Sequence, residues 1–207
     1  MRLYYHPLSS CSRRVLLVAR HLGIPLELIS VDLFRGEQNT PPFLKLNPNH
    51  QVPVLEDDEY VLWESYAIMQ YLAELAQDQS LHPETAQQRT DASRWMFWCS
   101  QHLMPAISTL NWENSIKGMA GLGLAIQTEV ARAEAMFVEA CQVLDTHLVG
   151  REWISGSRLS LADLAIAAPL GDWHRAKLPI MQFSQIGRWF QQIQALDCWQ
   201  ETEQAPS

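Results

Sequence analysis

Residues 2–31 read RLYYHPLSSCSRRVLLVARHLGIPLELISV, and their periodicity decides the first layer of the fold. RLYY is a short apolar strand. After a polar interval, Val15, Val18, Ala19 and Leu22 fall at i, i+3, i+4 and i+7, which puts four apolar side chains on one helix face. Gly23 and Pro25 punctuate the end of that helix. Residues 26–31 partly alternate apolar with polar, as a half-buried strand does. Strand, helix and strand in this order make a βαβ unit, which implies a parallel pair.

Beyond this unit a polar loop carries Gly36, Pro41, Pro42 and Pro48. VPVL and YVLW then flank four acids, Glu56, Asp57, Asp58 and Glu59, and predict a hairpin with a solvated acidic turn. Ser65 is placed to cap the next helix, with Ile68, Leu72 and Leu75 on one face. A βαβ unit followed by ββα, with a proline at the start of the hairpin, is the thioredoxin-like order of elements. Residues 77–84 turn polar and mark a linker. The expected organisation is an α/β thioredoxin-like domain over 1–77 and an all-α domain over 85–207. In the second part Phe137, Cys141, Leu144 and Leu148 share a helix stripe, as do Ile186, Trp189, Phe190 and Ile193.

The 207 residues are 47% hydrophobic, enough to bury two cores. A formal net charge of -8 argues against a nucleic-acid partner. No apolar run approaches the roughly 18 residues that span a bilayer. The N-terminus goes straight into a strand pattern and carries no signal-peptide core, so a cytoplasmic protein is expected. The four cysteines are far apart and form no metal pair, and the seven histidines show no metal spacing. Cys99 and Cys141 lie on helix faces and are expected in the core.

Four segments, in this order, resemble the glutathione transferase family: LYYHPLSSCSRRV (3–15), NPNHQVPVL (47–55), WESYAIMQYL (63–72) and SGSRLSLADLAIA (155–167). The first is similar both to the phi-type pattern HPxSxxxRRV and to the zeta-type SSCSxRV. The resemblance covers essentially the whole chain. It implies a homodimer with no metal, in which glutathione, as co-substrate, binds the first domain and a hydrophobic electrophile binds against the second.

Glutathione reacts as its thiolate, while a free thiol has a pKa near about 8.5. A hydroxyl donor and a helix N-terminus both favour the charged form. Ser9 and Ser10 lie between the first strand and the first helix, where the resemblance places an activating serine; Ser9 leads, and simple helix capping is the plainer alternative. Tyr4 and Tyr5 are rival hydroxyls, with packing the expected role. Cys11 raises thiol–disulfide chemistry instead.

The resemblance further implies that Val52 pairs its main chain with the cysteinyl part of glutathione, that Pro53 is cis and that Gln51 contacts the tripeptide. It assigns Ser65 to the γ-glutamyl carboxylate and Glu64 to the ammonium. Gln38 and Asn39 stand where the phi-like pattern GEHKxPxFL has two cations for the glycyl carboxylate; here the segment reads GEQNTPPFL. Arg13 and Arg14 are nearby positive charges with a helix-surface role as the alternative. Leu8, Trp95, Met96, Trp98 and Trp112 are candidates for the electrophile pocket, and Ser160 with Asp163 forms a structural capping box. A glutathione-dependent isomerase of the maleylacetoacetate type, an oxidoreductase working through Cys11, and a non-enzymatic binding or regulatory module are the competing functions.

Overall fold

The computed structural model describes residues 1–81, 83 and 85–203. Their contacts divide them into two units: the chain before Pro83 together with the segment from Leu196 on, and Pro83–Ala195.

In the first unit β1 (Arg2–Tyr5), α1 (Ser10–His21) and β2 (Glu27–Ser30) form the βαβ unit, with β1 and β2 parallel and Leu3 opposite Leu28. A 3-10 turn (Glu37–Asn39) leads into α2 (Pro41–Leu46), whose two leading prolines suit a first helical turn that needs no N–H. β3 (Val54–Asp57) and β4 (Tyr60–Trp63) make the hairpin, and α3 (Ser65–Leu75) follows. The sheet order is β2-β1-β3-β4, with β3 antiparallel to β1. Leu3, Val54 and Leu55 from the sheet, Val15 and Val18 from α1 and Ile68 and Leu72 from α3 are fully buried. Each such side chain contributes roughly 1.5–3 kcal/mol of transfer free energy. α1 and α3 pack against one another, which brings the starts of the two helices into one neighbourhood.

Three local expectations change. Glu56 and Asp57 belong to β3, paired with Val61 and Tyr60, so the turn is only Asp58 and Glu59. The reason is partner choice: Glu56 accepts from Arg2 at 3.0 Å and from the Tyr4 hydroxyl at 2.9 Å, and Asp57 accepts from the Tyr71 hydroxyl at 2.8 Å. Leu75, at the end of its stripe, is half exposed. Ser65 is the first residue inside α3 and not its cap; Glu64 holds the cap position.

The second unit is helical throughout. α4 (Ala86–Trp98), α5 (Met104–Asn111) and α6 (Lys117–Met119) form one nearly continuous run, interrupted by π-helical turns at Cys99–Leu103 and Trp112–Ile116. α7 (Gln127–His147), α8 (Leu161–Leu170), α9 (Trp173–Ala176) and α10 (Ser184–Gln194) complete it. Both predicted stripes, on α7 and α10, are buried, as are Cys99 and Cys141. Every residue of α8 is buried, and its start is closed by the capping box of Ser160 and Asp163. The Asp163 carboxylate accepts from Ser160 N–H and O–H, from Ile154 N–H and from Trp189 Nε1, at 2.8–2.9 Å. Burial pushes its pKa up to about 6 against those four donors, which pull it down.

A last helix, α11 (Asp197–Glu201), packs on α1 within the first unit. The Arg13 guanidinium lies 3.9 Å from the centroid of the buried Trp199 ring, and Arg20 pairs with Glu201 at 3.7 Å.

Candidate functional site

Ser9 caps α1. Its backbone is extended (φ -87, ψ 112) and its Oγ accepts from the Ser12 N–H at 3.1 Å. Accepting uses a lone pair and leaves the hydroxyl proton available, so capping and donation to a ligand are compatible roles for one side chain. Ser10 is the first residue of the helix, and Ser9, Ser10 and Cys11 are all half-buried. Ser12 is fully buried and accepts from the His6 N–H at 3.4 Å. His6 accepts the Leu8 N–H on Nδ1 at 3.1 Å, so that nitrogen carries no proton. The turn between β1 and α1 is thus tied by short-range hydrogen bonds that hold Leu8 and Ser9 at the head of the helix. Tyr4 gives its proton to Glu56, and burial and that carboxylate push its pKa above the ordinary tyrosine value. That hydroxyl is committed within the sheet, which fits the packing role expected of it.

The start of α3 is the second cluster. Glu64 sits at φ 74, ψ 107, a conformation that costs an L-residue roughly 1–3 kcal/mol. It turns the chain from β4 into α3 and leaves the Glu64 side chain exposed. The first intrahelical bond runs from the Ile68 N–H to the Glu64 C=O at 3.0 Å, so the N–H groups ahead of it lie outside the helical ladder. Ser65 is buried, and its Oγ accepts from Nη1 of Arg14 at 3.2 Å. Arg14 is therefore no surface residue: it is 1% exposed and its guanidinium lies 4.2 Å from the Tyr66 ring centroid.

Residues 47–53 lie between the two clusters along the chain. Asn47 is buried; its Nδ2 donates to the Gln51 C=O at 2.8 Å and its Oδ1 accepts the Asn49 N–H at 3.0 Å. This ties down the turn that delivers Val52 and Pro53, both buried and joined by a cis peptide bond, to β3. Gln51 is exposed. Gln38 turns its amide inward, with Nε2 on the Leu33 C=O at 3.3 Å. Asn39 is exposed, and its Oδ1 meets Nδ1 of His50 at 2.9 Å. His50 holds φ 59, a left-handed conformation that histidine tolerates better than most residues. The imidazole beside Asn39 was missed in the sequence; its one signal was its position directly ahead of Gln51 in an otherwise assigned segment.

In the second unit Trp95 and Met96 are buried, with the Trp95 ring 4.3 Å from that of His147 between centroids. Trp98 is half-buried and Trp112 exposed. Leu8, in the first unit, is half-buried. Among the described residues no group of His, Cys, Asp and Glu is arranged to hold a metal ion, and no helix is long and apolar enough to cross a membrane.

Residues 8–75 match the family described as glutathione S-transferase, N-terminal domain, and residues 127–192 match glutathione S-transferase, C-terminal domain. Glutathione S-transferase D6 of Drosophila melanogaster is 29% identical over 195 residues, which span 94% of this chain and 87% of that one. The crystal structure of glutathione transferase F7 from Populus trichocarpa superposes with a TM-score of 0.89 at 26% identity, covering 97% of this chain and 96% of that chain. A delta-class glutathione transferase of Nilaparvata lugens gives a TM-score of 0.85 at 31% identity, over 98% and 92% of the two chains.

Proposed function

This chain belongs to the glutathione transferase family, and we propose that it conjugates glutathione, as the thiolate, to small hydrophobic electrophiles. One observation carries the reading: at the start of α1, Ser9 accepts the Ser12 N–H yet keeps a proton to give. A sulfur placed there meets a hydroxyl donor and the positive end of a helix together. Shifting a thiol pKa by roughly two units corresponds to about 2.7 kcal/mol, within reach of one charge-assisted hydrogen bond plus a helix terminus. The thiolate then attacks the electrophilic carbon. A C–S bond forms, and the leaving group departs with its electron pair, as chloride does from a chloronitroaromatic.

The rest of glutathione follows from the other two clusters. Ser65 and the first-turn N–H groups of α3 suit the γ-glutamyl carboxylate, and the exposed Glu64 suits the ammonium. Val52 offers main-chain groups to the cysteinyl part, with Gln51 beside it. The glycyl carboxylate, for which the sequence lacks cations at Gln38 and Asn39, is met by Asn39, whose Oδ1 takes the His50 Nδ1–H and whose Nδ2 amide supplies the donor. Among the aromatic candidates of the second unit, Trp112 is the exposed one; Leu8 lies directly ahead of Ser9.

Calorimetry with glutathione, followed by turnover with a chloronitroaromatic, a peroxide, a disulfide and maleylacetoacetate, tests the reading. Glutathione binding and conjugation of the chloronitroaromatic are expected; no binding heat and no turnover with any of the four refutes it. A second reading, disulfide exchange through Cys11, draws on the half-buried position of that thiol, since Cys99, Cys141 and Cys198 are buried. It predicts a glutathione adduct on Cys11 and turnover with the disulfide alone.

A further inference from the structure

We propose that Arg14 is a positioning residue for the γ-glutamyl carboxylate, acting through the Ser65 hydroxyl; this rests on the glutathione reading above. Burying a charge is costly unless something compensates it, and Arg14 is 1% exposed in the second turn of α1. Its side chain crosses to the start of α3. There Nη1 donates to Ser65 Oγ at 3.2 Å, and the guanidinium lies 4.2 Å from the centroid of the Tyr66 ring, a cation–π distance. The neighbouring Arg13 faces a different element, the Trp199 ring of α11. The two arginines of the RRV run are therefore divided between two tasks.

The hydrogen-bond inventory gives Arg14 its effect. A guanidinium only donates, while a hydroxyl has one proton and two lone pairs. With Arg14 occupying a lone pair of Ser65 Oγ, the Ser65 proton has to point away from the guanidinium. The bond into Oγ also polarises the hydroxyl and makes it a stronger donor. A carboxylate at the head of α3 then meets an oriented O–H with a fixed positive charge behind it. Arg14, being buried, reaches the ligand only through Ser65. The same side chain links the start of α3 to the helix that carries Ser9, so the carboxylate end and the sulfur end of the ligand share one rigid support.

Calorimetry on wild type, Arg14→Met and Arg14→Lys decides the matter with two ligands: glutathione, and 4-aminobutanoyl-cysteinylglycine, which keeps the ammonium and the thiol and lacks only the γ-glutamyl carboxylate. Arg14→Met is expected to weaken glutathione about tenfold, the loss of about 1.4 kcal/mol, and to leave the analogue's affinity unchanged. Arg14→Lys keeps the charge and is expected to fall between the two. KM for glutathione rises while kcat at saturation holds, since the carboxylate does not react. In a Ser65→Ala background Arg14→Met should have almost no further effect, as expected when one residue acts through the other. Circular dichroism melts identify the folded variants; if Arg14→Met does not fold, Arg14→Lys carries the test, with selective loss of glutathione still required. Equal losses for both ligands, or none, overturn the proposal. A wild type that binds neither ligand overturns the glutathione reading itself.

Discussion

Ser9→Ala removes two things at once, and the structure separates them. The first is the acceptor for the Ser12 N–H at 3.1 Å. Losing such a cap costs about 0.5–2 kcal/mol of stability. The second is the proton proposed to meet the sulfur, whose bond is stronger to thiolate than to thiol. The helix terminus remains, so the loss is partial: about one to two pKa units, or roughly 1.4–2.7 kcal/mol. If the bound thiol titrates near about 6.5 in the wild type, some three quarters of it is ionised at pH 7; one unit upward leaves about a quarter, and two units about 3%. Turnover at pH 7 should therefore fall roughly three- to twenty-five-fold and recover as pH rises towards about 9, where the mutant's thiol ionises without help. Glutathione affinity should hardly change. The assay is the ultraviolet absorbance of the thiolate, titrated for wild type, Ser9→Ala, Ser9→Asp, Ser10→Ala and Cys11→Ala. Ser9→Asp keeps an acceptor for the cap but has no proton to give and adds a negative charge. It should therefore hold stability while raising the thiol pKa at least as far as alanine does. If Ser9→Ala lowers the melting temperature and leaves the titration where it was, Ser9 is a cap and nothing more. A titration moved by Ser10→Ala alone shifts the assignment by one residue.

Ser65→Ala should weaken glutathione binding by roughly 1.5–3 kcal/mol with kcat at saturation retained, because the proposed bond is to a carboxylate that does not react; an unchanged dissociation constant removes Ser65 from the site. Asp163→Ala leaves four buried donors without their acceptor and should cost about 3–5 kcal/mol of stability, read by urea unfolding. Because burial raises the folded pKa of Asp163 from 3.8 to about 6, this group's contribution is fully present below about pH 4 and is lost as pH rises through 6. The stability gap between wild type and Asp163→Ala should therefore narrow between pH 4.5 and 7 by about 2 kcal/mol; a gap that widens means the four donors outweigh burial. The chain should be a homodimer, with the exposed Trp63 close to the subunit contact; sedimentation at the mass of one chain, at micromolar concentration, rules that out.

Periodicity and short motifs are local, and what depends on them was open to reading in the sequence. Val15, Val18 and Ala19 had to share a face because a helix repeats every 3.6 residues, and the parallel pairing of β1 with β2 followed from the crossover between them. The buried stripes of α7 and α10 and the box at Ser160 and Asp163 were legible on the same grounds. The candidate site was legible as a set of segments, because a serine run at a strand-to-helix turn and an acid–serine pair ahead of a helix are short-range signals. Tertiary structure decided which atoms of those segments meet. It drew Glu56 and Asp57 into β3, through Arg2, Tyr4 and Tyr71 on other elements. It put Glu64 rather than Ser65 at the cap of α3, at a φ of 74 that no propensity for glutamate foretells. It brought α11 onto α1 and the His50 ring to Asn39. Above all it divided Arg13 from Arg14. In the sequence they are two adjacent cations on a helix; in the fold a rotation of about 100° per residue sends one to Trp199 and the other beneath Ser65. Pattern fixes the angle between neighbouring side chains, but what waits at the end of each depends on residues about fifty to two hundred positions away, which only packing brings together.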